Sequence, residues 1–195
     1  MRAPRFAPSV VFVASALIHP LSAQAPDGGK TKSIGFTGGV ALTYGNLTGG
    51  DFDGTKAGAG FDLNAGITRG AWQLGLGYDR TNHGHDDSTG DFVVSNLYLE
   101  PRFQFTSATR RLTPYVAARV GKAMASFDES YGGTSDADGW MYGLGAGILW
   151  PLAKSVQVDA GAHYARVSHD YGSGEYSDSE KGSLISMRAG VRIFR

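Results

Sequence analysis

Eight times between Ile34 and Phe194 the chain alternates apolar residues with small or polar ones at a period of two, and no helical heptad or repeat motif intervenes. The stretch Trp140 to Trp150, WMYGLGAGILW, shows the pattern most fully. Its even positions are all apolar or aromatic, and three glycines occupy odd ones. As a strand tilted by roughly 40°, it would hold its two tryptophans about 26 Å apart along a membrane normal. That spacing matches the apolar band of a membrane barrel, with a Trp at each headgroup level, where an apolar ring finds a wet partner for its N–H. A strand of a soluble sandwich, with its apolar face turned inward, accounts for this stretch equally well.

The eight blocks run over about 34–44, 56–68, 71–80, 91–105, 112–126, 140–150, 155–167 and 182–194. The alternation becomes ambiguous beyond Gly121, around Lys122, Met124 and Phe127, which predicts a bulge there. Pro101 and Pro114 lack the ladder donor and belong near strand ends or bulges.

The connections separate the two architectures. Those after the second, fourth and sixth blocks are short: Arg69-Gly70, TSATR and PLAK. Those after the first, third, fifth and seventh are long and polar: NLTGGDFDGT, TNHGHDDSTG, DESYGGTSDAD and HDYGSGEYSDSEK. An up-and-down barrel with tight periplasmic turns and long outer loops alternates in this way, whereas a Greek-key sandwich has no reason to.

Charge placement supports the same choice. Asp62, Asp79, Glu100 and Asp159 fall on the glycine-rich face, as do Arg102, Arg119, Arg188 and Arg192. A soluble barrel would turn these charges outward. If lipid covers the apolar face, they line a narrow lumen, where four acids must pair with four arginines, because a lone buried charge costs several kcal/mol. The expectation is a closed, salt-bridged interior, which eight strands roughly fill with side chains. Tyr44, Trp72, Tyr78, Trp140, Tyr142, Trp150 and Tyr164 then form the aromatic girdle.

The first residues bear on compartment. Arg2 and Arg5 precede an apolar run from Val10 to Ile18, followed by small residues at Ala23 and Ala25. This reads as a signal peptide over 1–23, cleaved after Ala23 or Ala25, with a linker over 24–32 and a barrel over 33–195. The run is too short to span a bilayer as a helix. A net charge of zero lacks the basic footprint of a nucleic-acid binder.

Taken together, FTGGVALTYG, LTPYVAARVG, YGLGAGILWPL and the final MRAGVRIFR, with the loop alternation, give a mature chain that resembles the small eight-stranded outer-membrane barrels of OmpA, OmpX and opacity-protein type, the porin-family barrels. The resemblance implies an all-β, antiparallel up-and-down transmembrane barrel in the outer membrane of a Gram-negative-type bacterium. It also implies membrane lipids as surroundings, and the barrel assembly machinery and periplasmic chaperones as partners in biogenesis. The chain departs from the family in ending Phe194-Arg195 instead of on an aromatic residue.

Some barrels of this size act on lipid A, and a lipid A deacylase of this fold uses a His with a Ser two positions later. Here the nearest match is His163-Tyr164-Ala165, without the serine. Ser168-His169-Asp170 has suitable atoms, but strand neighbours face opposite ways. No catalytic residue and no cofactor is therefore expected. Acids crowd the long loops, and His83 and His85 beside Asp86 and Asp87 are a weak candidate for a divalent cation, without the spacing of a defined calcium loop. The functional expectation is a structural, surface-exposed outer-membrane barrel with surface interactions through acidic loops. A narrow porin-like channel for small solutes and a lipid A-modifying enzyme are the alternatives.

Overall fold

The computed structural model describes residues 34–49, 55–84, 91–106, 111–128, 134–171 and 178–195. The signal-peptide and linker readings lie outside them. Eight strands follow one another: β1 (Ile34–Thr48), β2 (Gly58–Arg69), β3 (Trp72–Gly84), β4 (Asp91–Gln104), β5 (Thr113–Asp128), β6 (Thr134–Ala153), β7 (Val156–Tyr171) and β8 (Asp178–Phe194). Each pairs antiparallel with its sequence neighbour, and β1 pairs with β8 to close the barrel, so no sheet edge is left open. Arg195 continues the seam, its backbone exchanging two 2.8 Å hydrogen bonds with Phe36.

The two ends of the barrel differ. At the turn end, β2 and β3 are joined through Gly70, whose φ of +65° supplies the left-handed geometry of a tight hairpin. Pro151 sits at the register shift between β6 and β7, and Pro101 at a gap in the pairing of β4 with β5, as expected of residues without a ladder donor. At the loop end the strands run further than their outward apolar pattern predicts. β6 has 20 residues, which at about 3.4 Å per residue and 40° of tilt project about 52 Å, twice the roughly 25 Å of an apolar band. The long segments are consequently consumed by strand: only 129–133 separates β5 from β6, fewer residues than 105–112 between β4 and β5.

This extension removes the bulge expected near Lys122. The β5 register runs unbroken from Val120 to Phe127 against β4 and from Thr113 to Asp128 against β6. What changes there is the polarity of the faces. Below that level the outward residues are apolar and the inward ones polar. Above it Lys122 faces out while Ala123 and Ala125 are buried inside. Leu47, Phe92, Val94, Ala137, Met141, Val167 and Leu184 are likewise buried in one apolar cluster. The barrel is thus two structures stacked on one wall, apolar outside at the turn end and apolar inside at the loop end.

Candidate functional site

Among the described residues, the buried charged side chains gather in the lumen, which is layered. Nearest the turn end, Gln104 Nε2 donates to Gln73 Oε1 (3.3 Å) and Gln73 Nε2 to Thr37 Oγ1 (3.1 Å), so three strands are tied across the bore. Above them lie all eight charged residues expected there, each buried.

Asp159 accepts hydrogen bonds from Arg192 (2.9 Å), Arg102 (3.0 Å), Arg188 (3.4 Å) and the Tyr115 hydroxyl (2.7 Å). Glu100 accepts from Arg102, from Arg119 Nε (2.7 Å) and from Arg188 (3.2 Å). One level higher, Arg119 reaches Asp62 (3.2 Å) and Asp79 (3.3 Å), and Arg188 also reaches Asp62 (3.4 Å). Every carboxylate faces an arginine; Arg102 bridges two carboxylates, Arg119 and Arg188 three each, and Arg192 meets Asp159. This mutual compensation is what makes eight buried charges tolerable.

Residues outside the expected network complete it. The Arg119 guanidinium lies 4.0 Å from the centroid of the Tyr98 ring, and Arg102 the same distance from that of Tyr115. Tyr98 donates to Asp62, Asn64 donates to Asp62 (2.7 Å) and Asn96 to Asp79 (2.6 Å). His163 is buried with Nε2 3.3 Å from Glu100 Oε2. The inner glycines make room for these rings: a Cβ at Gly77 would collide with Tyr98, at Gly145 with His163 and at Gly147 with Tyr115. The inward positions of Tyr98, Tyr115, Asn96 and His163 follow from alternation, but which charges they serve does not.

The apolar cluster of the loop end sits over the ion network. His83 lies at that level, beyond the outward apolar residues of β3. Its Nε2 is 2.8 Å from Thr81 Oγ1 and its Nδ1 3.0 Å from the Lys56 carbonyl, the geometry of a neutral ring donating from Nδ1. Burial pushes its pKa below the ordinary 6.5, a shift the carbonyl partly offsets. The ring is therefore committed inside the wall and not presented to a loop. The other members of that cation candidate, His85, Asp86 and Asp87, lie outside the described residues, as do the loop acids Asp51, Asp53, Glu129 and Glu175, whereas Asp128, Asp136, Asp138, Asp170, Asp178 and Glu180 belong to strands.

The outer surface carries a band of exposed large apolar residues on every strand, among them Leu42, Leu63, Leu76, Leu99, Val120, Leu144, Tyr164 and Met187. Trp72 and Trp150 lie at its turn end, and Tyr44, Tyr78, Trp140, Tyr142 and Tyr164 toward its loop end, all directed outward. A continuous apolar surface of this extent, wrapped around a polar interior, is a surface built for lipid.

No family model matches the chain, and no curated protein matches it. Solved structures do. Neisserial surface protein A (NspA) is 19% identical with a TM-score of 0.62, over 82% of this chain and 96% of that one. A major outer membrane protein of Thermus thermophilus is 10% identical with a TM-score of 0.52, over 84% and 100%. The outer membrane protein AlkL, determined in lipid bilayers, is 16% identical with a TM-score of 0.51, over 91% and 97%. The chain has the closed eight-stranded fold of these small outer-membrane barrels.

Proposed function

We propose that this chain is an integral outer-membrane barrel with its loop end outward and a lumen closed to solutes, acting as a structural and surface-presenting element. The observation that carries this is the filling of the bore in series: the hydrogen-bonded chain Gln104–Gln73–Thr37, a compensated network of eight charges, then an apolar cluster. A path for water would have to break ion pairs that are excluded from solvent and also wet an apolar constriction. The name of one similar structure, a surface protein, agrees with this reading. Lipids would surround the band, and assembly would use the barrel machinery and chaperones of the envelope.

A lipid-modifying activity has little support, since His163 is 5% exposed and faces Glu100 inside the bore, where no lipid ester reaches it. The test is twofold. Protein from outer-membrane fractions should migrate differently in SDS with and without boiling, and purified protein should enter planar bilayers without conductance steps. Discrete steps in the wild type would replace this reading with the narrow channel. A soluble periplasmic protein with no mobility shift would overturn the membrane assignment itself.

A further inference from the structure

One motif occurs twice on the outer wall, half a barrel apart. On β3, Tyr78 and Arg80 both face outward, and Arg80 stands opposite Ser95 of β4, to which the Tyr78 hydroxyl donates at 3.2 Å. On β7, Tyr164 and Arg166 both face outward, and Arg166 stands opposite Ser183 of β8, whose Oγ is 2.9 Å from the Tyr164 hydroxyl. In the closed strand order the β3–β4 and β7–β8 pairs are four strands apart, on opposite sides of the bore. Each motif places an exposed arginine on the same outward face as a phenol and a serine hydroxyl already in contact.

The height of the two motifs is informative. Arg80 follows the outward column Trp72, Leu74, Leu76, Tyr78, eight residues above Trp72, or about 21 Å along the normal. Arg166 likewise follows Val158, Ala160, Ala162 and Tyr164. Both arginines thus stand where the apolar band ends and headgroups begin. On β5 the same level carries Lys122, but its ammonium is answered by Asp138 at 2.7 Å. Neither Arg80 nor Arg166 has an ion pair among the described residues.

We propose that these motifs are two equivalent sites for the phosphate-monoester headgroup of a lipid in the leaflet at the loop end. The planar guanidinium matches a phosphate bidentately, the two hydroxyls supply further hydrogen bonds, and the neighbouring apolar column receives the acyl chains. Anionic phosphate complements two cations that no described carboxylate answers. This rests on the membrane reading above.

The experiment reconstitutes the whole protein in phosphatidylcholine nanodiscs doped with phosphorylated lipid A or with dephosphorylated lipid A, and counts retained lipids by native mass spectrometry. The wild type should retain two phosphorylated lipids, Arg80→Gln and Arg166→Gln one each, and the double variant none, with affinity falling roughly tenfold at each altered site. Lys122→Gln should retain two, and excess inorganic phosphate should not displace them. Equal retention of dephosphorylated lipid, displacement by inorganic phosphate, or undiminished retention by a double variant that still shows the heat-dependent mobility shift would overturn the proposal. A wild type that fails to insert would overturn the membrane reading beneath it.

Discussion

Replacing Arg119 by methionine tests the lumen most directly, because its partners do not all depend on it equally. Arg119 is 6% exposed and touches Glu100, Asp62 and Asp79. Without it, Glu100 keeps Arg102 and Arg188, and Asp62 keeps Arg188 and the Tyr98 and Asn64 donors. Asp79 is left with the Asn96 amide alone among the described residues. The cost therefore concentrates on one uncompensated buried carboxylate, about 3–5 kcal/mol. Asp79→Asn removes that charge and keeps an oxygen to accept from Asn96. In the wild-type background it should cost only about 1–2 kcal/mol, since Arg119 retains two carboxylates. Combined with Arg119→Met it should restore about 2 kcal/mol or more, so the two substitutions are strongly non-additive. Urea unfolding in lipid vesicles, followed by tryptophan emission, reads these differences as midpoint shifts at constant slope. The reasoning is refuted if Arg119→Met costs less than about 1 kcal/mol, or if adding Asp79→Asn to it lowers stability further.

Three further outcomes follow from the same structure. Leu144, 71% exposed at the middle of the outward β6 column, should lose about 2–4 kcal/mol on replacement by arginine if lipid covers it, and stay within about 0.5 kcal/mol if water does, as read from vesicle unfolding. Val94→Asp places an unpaired carboxylate in the apolar cluster, where Val94 is 0% exposed, and should cost several kcal/mol in the same assay, whereas Asn82→Asp on the exposed outer face of the wall should change little. His83 is held neutral with its pKa lowered below 6.5, so the unfolded chain binds the extra proton first and stability falls as pH drops through 6.5. The melting temperature of the wild type should decline between about pH 7 and pH 5, and that decline should shrink in His83→Gln.

Within the lipid-facing band, the linear sequence is enough to assign strands and faces. A period of two places successive side chains on opposite sides whatever the partner strand, so Asp62, Glu100, Arg119 and Arg188 could be turned inward, and Leu144 or Trp150 outward, from local spacing alone. Strand number, up-and-down order and the barrel class follow from the same alternation and from the contrast between connections. Two things required the closed wall. The first is which charges pair: Arg188 and Asp62 are 126 residues apart and Arg119 and Asp62 57, and although antiparallel order sets Asp62, Glu100, Arg119 and Arg188 near one height, which of them bond depends on the stagger between strands, a property of the ladder and not of either strand. The second is the inversion at the loop end. There the outer face meets water and the inner face must supply its own apolar packing, so a chain that keeps strict alternation around Ala123 and Ala125 presents the opposite polarity. A periodicity read on the assumption of one solvent along the whole strand mistakes that change of surroundings for a break in the strand, and only the tertiary structure, by setting where lipid ends and water begins, distinguishes the two.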